Sequence, residues 1–548
     1  MAKASKASTP SPATIQTLQP PQAIQTTNPY DESPYQSRAF IQTHPQRLAF
    51  IGRLFGMNPV PPVMARVLEL GCASGGNLIP LAERYQTGEF LGLDLSRVQV
   101  EQGQKEIASL GLKNIELRQA DLATYDPAKD GKFDYIICHG VYSWVPEFVR
   151  DAIHRICQAA LSEQGIAYIS YNCYPGWKMR EIIRDAMNFH AGTRPTPTER
   201  VEQSRAIINF ITDISDAESA FGKVLKAEAE LLKVVSDDYL LHEHLELNND
   251  PCYFKDFMAK AAPYHLAYLG EAQIEEMIPH HLGPKVMDAL NRVSGGNILA
   301  IEQYLDFFRN RRFRRTLLVR EELAAGLKRD ISAENLSRFH VAGAYKVEGD
   351  APVHTAIEQK FSDSEGRNLA SSQPLAKAMM LSLNEAWPNT LSISVWRERA
   401  TAMLKDHPEL LVNSAKLFDE VLVRGFANGL FHLVDEAVVN GDSSASHPVA
   451  SKLARHRASL AQREVSNIWH QTVNLNDLQV ALVQLLDGKH DLGQITSALV
   501  DKCLAGDLRL ANNNVPVTDR PTIEHLVKQF TPQSLIDLRR MGLLVPAS

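Results

Sequence analysis

The stretch Arg66-Val67-Leu68-Glu69-Leu70-Gly71-Cys72-Ala73-Ser74-Gly75-Gly76-Asn77 runs an apolar, β-type segment into a glycine-rich turn that opens a helical pattern. Glycine there lets the backbone approach a ligand closely, often at positive φ. Gly71, Ala73 and Gly76 nearly match G-x-G-x-x-G, the dinucleotide-binding pattern. Glu69 argues against a pyrophosphate, which it would repel at short range, and suits a cationic ligand better. Two further acids end or follow the next apolar runs. Asp94 closes Leu91-Gly92-Leu93-Asp94, where a ribose diol can be bound, and Asp121 stands in Gln119-Ala120-Asp121-Leu122 at the rim of the same crevice. Each acid taken alone also reads as a helix cap or a solvated loop carboxylate.

Two more segments could carry chemistry: Cys138-His139-Gly140-Val141-Tyr142-Ser143-Trp144-Val145-Pro146 and Ser170-Tyr171-Asn172-Cys173-Tyr174-Pro175-Gly176-Trp177. Both follow β-type runs, at the strand ends where open α/β sheets bind ligands. Their alternating aromatic and polar residues suit a pocket with an apolar wall and a few directed hydrogen bonds. Alternatively, Trp144 and Trp177 pack on the sheet and Tyr174 caps a turn. Cys138 and Cys173 read as buried thiols rather than nucleophiles. No metal-ligand spacing is found, and His242 and His244, two apart on an expected helix, do not share a face. Before the sheet, Asn28 to Tyr35 leads into an expected helix with His44 and Pro45 near its start. This arm folds over a ligand and excludes water, or simply docks with His44 satisfied.

The elements that must position these residues alternate from Val63 to Tyr171. VMARVLEL, EFLGLD, IELRQ, FDYIIC and GIAYISY read as strands, with helices over 76–85, 97–110 and 147–161. This is an α/β pattern, a parallel sheet wrapped by helices, whose strands are continuous apolar runs because both faces are covered. Residues 1–29 hold too few large apolar groups to offset ordering entropy and read as a disordered tail. The expected organisation continues with a core and N-terminal arm over 30–197 and a helical middle domain over 198–308. Within 309–350, FRRTLLVRE (313–321) and FHVAGAYKVEG (339–349) are candidates for the last two strands of the same sheet. A polar linker covers 351–375, and 376–548 is winged-helix-like.

Composition bounds the rest. A chain of 548 residues with 44% hydrophobic content exceeds a single small module. With 57 Lys and Arg against 64 Asp and Glu, the net charge of −7 disfavours non-specific nucleic-acid binding. Six scattered cysteines make no disulfide framework, so a reducing, cytoplasmic setting is expected. No apolar run suits a membrane span or an export signal.

Turn, acids and strand order together resemble the class I S-adenosylmethionine-dependent methyltransferases. The resemblance implies a Rossmann-like sheet and S-adenosyl-L-methionine as cofactor. Gly71, Ala73 and Gly75 would hold its methionine part, with Glu69 standing for the family's acid before the turn. Asp94 would bind the ribose hydroxyls and Asp121 the adenine amino group. Asn77, Leu95, Leu122, His139 and Gly140 join the expected cofactor contacts. The chain is also similar to a narrower bacterial group that carries a methyltransferase regulatory domain and includes the rickettsial outer-membrane-protein lysine methyltransferases. HGVYSWVP, YNCYPGW, LLHEHLELNNDPCYFKDFMAKAAPYHLAYLGEA, RNRRFRRTLLVR and HQTVNLNDLQVALVQLLDGKHD carry that likeness. It covers roughly 30–320 and 375–548 and implies in-line methyl transfer to lysine amines of a protein. Tyr142, Trp144 and Tyr174, with Tyr35 from the arm, are the expected walls and orienting groups, and His139 the proton-relay candidate. Methylation of RNA or a small molecule, or a cofactor-binding scaffold without turnover, are the competing readings, and a homo-oligomer fits either class. The arginines of RNRRFRRTLLVR meet phosphates or an acidic protein face, or else pair with Asp306, Glu321 and Glu322.

Overall fold

The computed structural model describes residues 37–246, 248–277, 284–364, 366–512 and 515–546. The expected tail and Tyr35 lie outside the described residues. Residues 183–245 make one compact unit of their own. Its helices Pro197–Ile214, Ala220–Val234 and Asp237–His244 bury Val201, Ile208, Leu225, Leu232 and Leu240 together with Ile183 and Met187.

The second unit is built on a seven-stranded sheet: β1 (Arg66–Leu70), β2 (Glu89–Asp94), β3 (Ile115–Gln119), β4 (Phe133–Cys138), β5 (Leu161–Asn172), β6 (Leu266–Glu271) and β7 (Phe313–Arg320). Their spatial order is β3-β2-β1-β4-β5-β7-β6. β1 to β5 are parallel, and β7 runs antiparallel to both β5 and β6. Alternation along each strand sorts side chains into two cores. Val67, Tyr135, Ile137, Ile166 and Tyr168 join one; Leu68, Leu70, Ile136, Ala167 and Ile169 join the other. β1 and β4 are buried along nearly their whole length because both faces are covered.

The structure departs from the sequence reading in three places. The sixth strand comes from LAYLGE, inside the segment expected to be helical, and not from 339–349. A buried run of four to six apolar residues has no period that separates strand from helix. His265, held at φ +53° just before it, breaks the preceding helical turn. The 339–349 segment instead supplies His340–Ala342 to a sheet with Leu391–Ser392 and His432–Val434, and Lys346–Glu348 to another. The expected linker holds a hairpin, Gln359–Ser362 with Asn368–Ser371, anchored by buried Phe361. The Lys377 ammonium secures the preceding loop by donating to the carbonyls of Pro352, Thr355 and Ile357 at 3.0, 2.8 and 3.1 Å. Finally, 376–548, compatible by sequence with one or two winged-helix-like units, contributes to two cores. Helices Pro374–Ala386, Ile393–Ala402 and Ser414–Ala427 share a core with Val67 and Tyr135, whereas Ala450 to Leu544 close around a separate one. Among the described residues no helix is long and apolar enough to cross a membrane.

Candidate active site

The glycine-rich turn sits at the end of β1 with Gly71, Ala73 and Gly75 at φ +77°, +49° and +77°. A left-handed alanine is disfavoured unless neighbours hold it. Here the Ala73 amide donates to Asp94 Oδ2 at 2.8 Å, and the Gly71 and Cys72 amides donate to the Leu93 carbonyl at 2.8 and 3.1 Å. The other Asp94 oxygen accepts from the Ser96 amide at 2.8 Å. Asp94 therefore ties the turn to the end of β2. Gly76 is required by a different contact: a Cβ there would stand 2.4 Å from the carbonyl carbon and oxygen of Ser37. The start of the arm thus lies directly on the turn, and the Gly76 amide donates to Ser37 Oγ at 2.8 Å.

Glu69 is buried beneath the turn. Its Oε1 accepts from Asn77 Nδ2 at 2.8 Å and its Oε2 has no partner among the described residues. Burial pushes its pKa up to about 8, Asn77 pulls it back and Asp94 adds to the rise. The Asn77 amide is a joint. Its Oδ1 receives the Phe40 amide at 3.1 Å, the Thr43 hydroxyl at 3.0 Å and His470 Nε2 at 2.8 Å. One side chain thereby links the acid under the turn, the arm and a residue far along the chain.

Along the same rim, Leu95 is 56% exposed beside Asp94. Asp121 is exposed and accepts from the Ala123 amide at 2.9 Å, while Leu122 is buried. After β4, Gly140 at φ +68° is exposed and donates its amide to Ser170 Oγ at 2.8 Å. His139 Nδ1 lies 2.8 Å from the Tyr168 hydroxyl, and its ring centroid is 4.1 Å from Phe40 and 6.3 Å from Phe313. Desolvation, reinforced by Arg315, lowers its pKa to about 3. Trp144 is half-buried on the turn Tyr142–Trp144. Tyr174, also half-buried, donates its hydroxyl to Glu181.

Residues 67–165 match the family described as "Methyltransferase domain", residues 236–320 "Predicted methyltransferase regulatory domain", and residues 446–543 "PKMT, C-terminal winged helix domain". An uncharacterized protein of Rickettsia prowazekii (strain Madrid E) is 34% identical over 527 residues, 92% of each chain. A second from that organism is 42% identical over 233 residues, 42% of this chain and 93% of its own. The solved structure of PKMT2 from Rickettsia typhi in complex with AdoHcy is 30% identical, covers 93% of this chain and 100% of its own, and superposes with a TM-score of 0.83. The chain belongs to this family of S-adenosylmethionine-dependent methyltransferases.

S-adenosylmethionine is accordingly the methyltransferase's cofactor, and the residues present fit it. A buried carboxylate oxygen with no partner among the described residues suits a cationic donor, and the exposed face of Leu95 suits an adenine ring. Several expected contacts fall elsewhere. Asn77 bonds with its side chain to Glu69, the arm and His470, an arrangement that suits a residue positioning the turn. Tyr142 is 1% exposed, packed against Tyr171, His154 and Phe257, and its ring is core rather than pocket wall. Aromatic and polar residues alternate equally whether the rings face in or out, so the pattern alone could not show this. A His139 with pKa near 3 stays neutral at pH 7 and is a poor proton relay. Phe40, Phe313 and His470 were not visible as site residues, because no local signal ties positions that meet only in the fold.

The raised Glu69 pKa has a thermodynamic sign. A carboxyl whose folded pKa exceeds its unfolded value contributes stability fully below the unfolded value, and that contribution is lost as pH rises through the folded pKa. Without ligand, stability from Glu69 therefore declines between about pH 4.5 and 8. Glu69→Gln is expected to melt at a Tm that exceeds wild type by a margin widening over that interval, by roughly a few degrees, while binding the cationic donor more weakly. Melting curves at pH 5, 6.5 and 8 check it.

Proposed function

We propose that this methyltransferase modifies lysine amines of a protein. The observation that carries the reading is its full-length likeness to PKMT2, including the winged-helix segment that transfer to a small metabolite does not require. We assign Glu69, Gly71, Ala73 and Gly75 to the methionine end of the cofactor, Asp94 to the ribose, and Leu95, Asp121 and Leu122 to the adenine. When bound, the cofactor supplies a sulfonium methyl for in-line displacement.

The acceptor amine must be neutral, which at pH 7 costs about 4.6 kcal/mol for an unperturbed lysine. The protein's contribution is environment and alignment. The rings of Phe40 and Phe313 flank His139, and apolar surroundings lower an amine's pKa. Neutral His139 orients an N–H without taking its proton, which leaves to solvent. Alignment of the reactants supplies on the order of 7–11 kcal/mol. A cleft of about 550 Å³, lined by Glu275, Glu276, Arg309, Arg312, Phe313 and Arg315, opens beside Phe313, and its mixed charge suits a polypeptide more than an apolar metabolite. We take the cytoplasm as the working compartment, the setting in which its six free thiols persist.

Purified protein incubated with methyl-labelled cofactor and fractionated bacterial lysate is expected to label a protein band, with mass spectrometry placing the methyl on lysine Nε. Nuclease-sensitive label would move the acceptor to RNA. Tight cofactor binding with no turnover on any fraction would make the chain a scaffold.

A further inference from the structure

We propose a second lysine-recognising subsite on the same rim: the cleft between Tyr174 and Tyr253, which takes the methylated side-chain ammonium of a lysine on the protein substrate. This deepens the lysine reading and rests on it. Tyr174 lies in the loop after β5, and Tyr253 immediately precedes the helix Phe254–Ala261. The Tyr174 amide donates to the Cys252 carbonyl at 3.1 Å, which fixes the two loops side by side. The tyrosine rings are half-buried, 5.3 Å apart and inclined at 51°, so together they form a V. Phe307, 51% exposed on the helix Ile298–Arg309, extends the aromatic surface 5.9 Å from Tyr253.

A cation already occupies the V. The ammonium of exposed Lys178 stands 4.4 Å from the Tyr174 ring centroid and 6.0 Å from that of Tyr253, both within cation–π range. The Glu181 carboxylate, which accepts the Tyr174 hydroxyl, adds negative charge next to the cleft. Lys255 approaches Tyr253 at 5.9 Å but is paired with Asp256 at 2.6 Å. Lys178 is thus an internal stand-in of the same chemistry as a substrate lysine. Its stem is solvent-exposed, so an incoming side chain displaces it at little cost. A methylated ammonium is larger and more weakly hydrated than a primary one, and aromatic faces favour it. A lysine already modified would remain held while another meets the cofactor.

The test uses the full chain without cofactor and needs no methyl transfer, so its failure is distinct from failure of the lysine reading, which would show as label on another atom. Saturation-transfer NMR would measure binding of tetramethylammonium and of Nα-acetyl-Nε-trimethyl-lysine amide. Lys178→Ala, which empties the cleft, is expected to bind the lysine amide about 2- to 5-fold more tightly than wild type. Tyr253→Leu on that background should remove the gain, and Tyr253→Phe, which keeps the ring, should retain it. An unchanged affinity in Lys178→Ala, or loss of the gain in Tyr253→Phe, would overturn the subsite. Equal affinity for tetramethylammonium and the lysine amide would overturn its assignment to lysine.

Discussion

Asp94→Ala is expected to weaken S-adenosylmethionine binding at least 100-fold by calorimetry, on the order of 2.8 kcal/mol. Two losses combine. The Ala73 and Ser96 amides lose their shared acceptor, each at 2.8 Å, so the left-handed Ala73 is no longer held. On the proposed assignment the ribose hydroxyls also lose a charged acceptor at the end of β2, and hydrogen bonds to ionised groups are the stronger class. Asp94→Asn keeps the shape and one acceptor oxygen and should fall between the two. Asp121→Ala is the contrast. That carboxylate is exposed and accepts from the Ala123 amide within its own turn, so its removal should weaken binding about tenfold without disturbing the glycine-rich turn. An Asp94→Ala affinity within threefold of wild type would detach the cofactor from this rim.

What could be read from the chain was what is local. Strands β1 to β5 announce themselves as separate apolar runs, and a glycine turn between an apolar strand and a helix has few other meanings. Asp94 and Asp121 stand where the sequence put them, at the end of β2 and just after β3. What could not be read depends on contacts between distant segments. Gly76 looked like part of a ligand-binding turn, yet the backbone it makes room for belongs to Ser37. That His470, 393 positions later, meets the Asn77 oxygen has no local signal either. Tyr142 and Tyr174 are indistinguishable as letters in aromatic loops, and burial alone separates a core ring from a rim ring. The hairpin inside 351–375 rests on one buried phenylalanine and on Lys377, whose ammonium serves three carbonyls, and polar composition conceals both.

The same distinction governs the basic run, of which Arg311 and Arg314 are buried in ion pairs within the protein. Arg314, fully buried on β7, donates to Asp306 at 2.9 Å, to Glu302 at 3.1 Å and to Glu271 of β6, with its guanidinium 3.9 Å above the Phe254 ring. Arg311 faces Asp306 at 3.3 Å, and Arg320 reaches Glu322 at 3.5 Å. Of the acids expected as partners, Glu321 pairs instead with His265. Arg311 and Arg314 therefore form a clamp joining β6, β7 and the helix Ile298–Arg309, while Arg309, Arg312 and Arg315 line the cleft beside Phe313. Arg314→Met should destabilise the fold by about 3–5 kcal/mol, because it strands buried carboxylates without a countercharge. Burial already raises the pKa values of Glu302 and Asp306, with the arginines pulling them down, and removing Arg314 lets them rise further. Raised carboxyl values favour the fold at acid pH and lose that contribution as pH climbs. The deficit of Arg314→Met against wild type should accordingly be smallest near pH 5 and grow toward pH 8. Adding Glu302→Gln and Asp306→Asn should recover part of it and flatten the pH dependence. Denaturant melts of the three proteins across that range are the measurement, and a deficit independent of pH would mean that lost packing over Phe254, rather than uncompensated charge, is what Arg314 supplies.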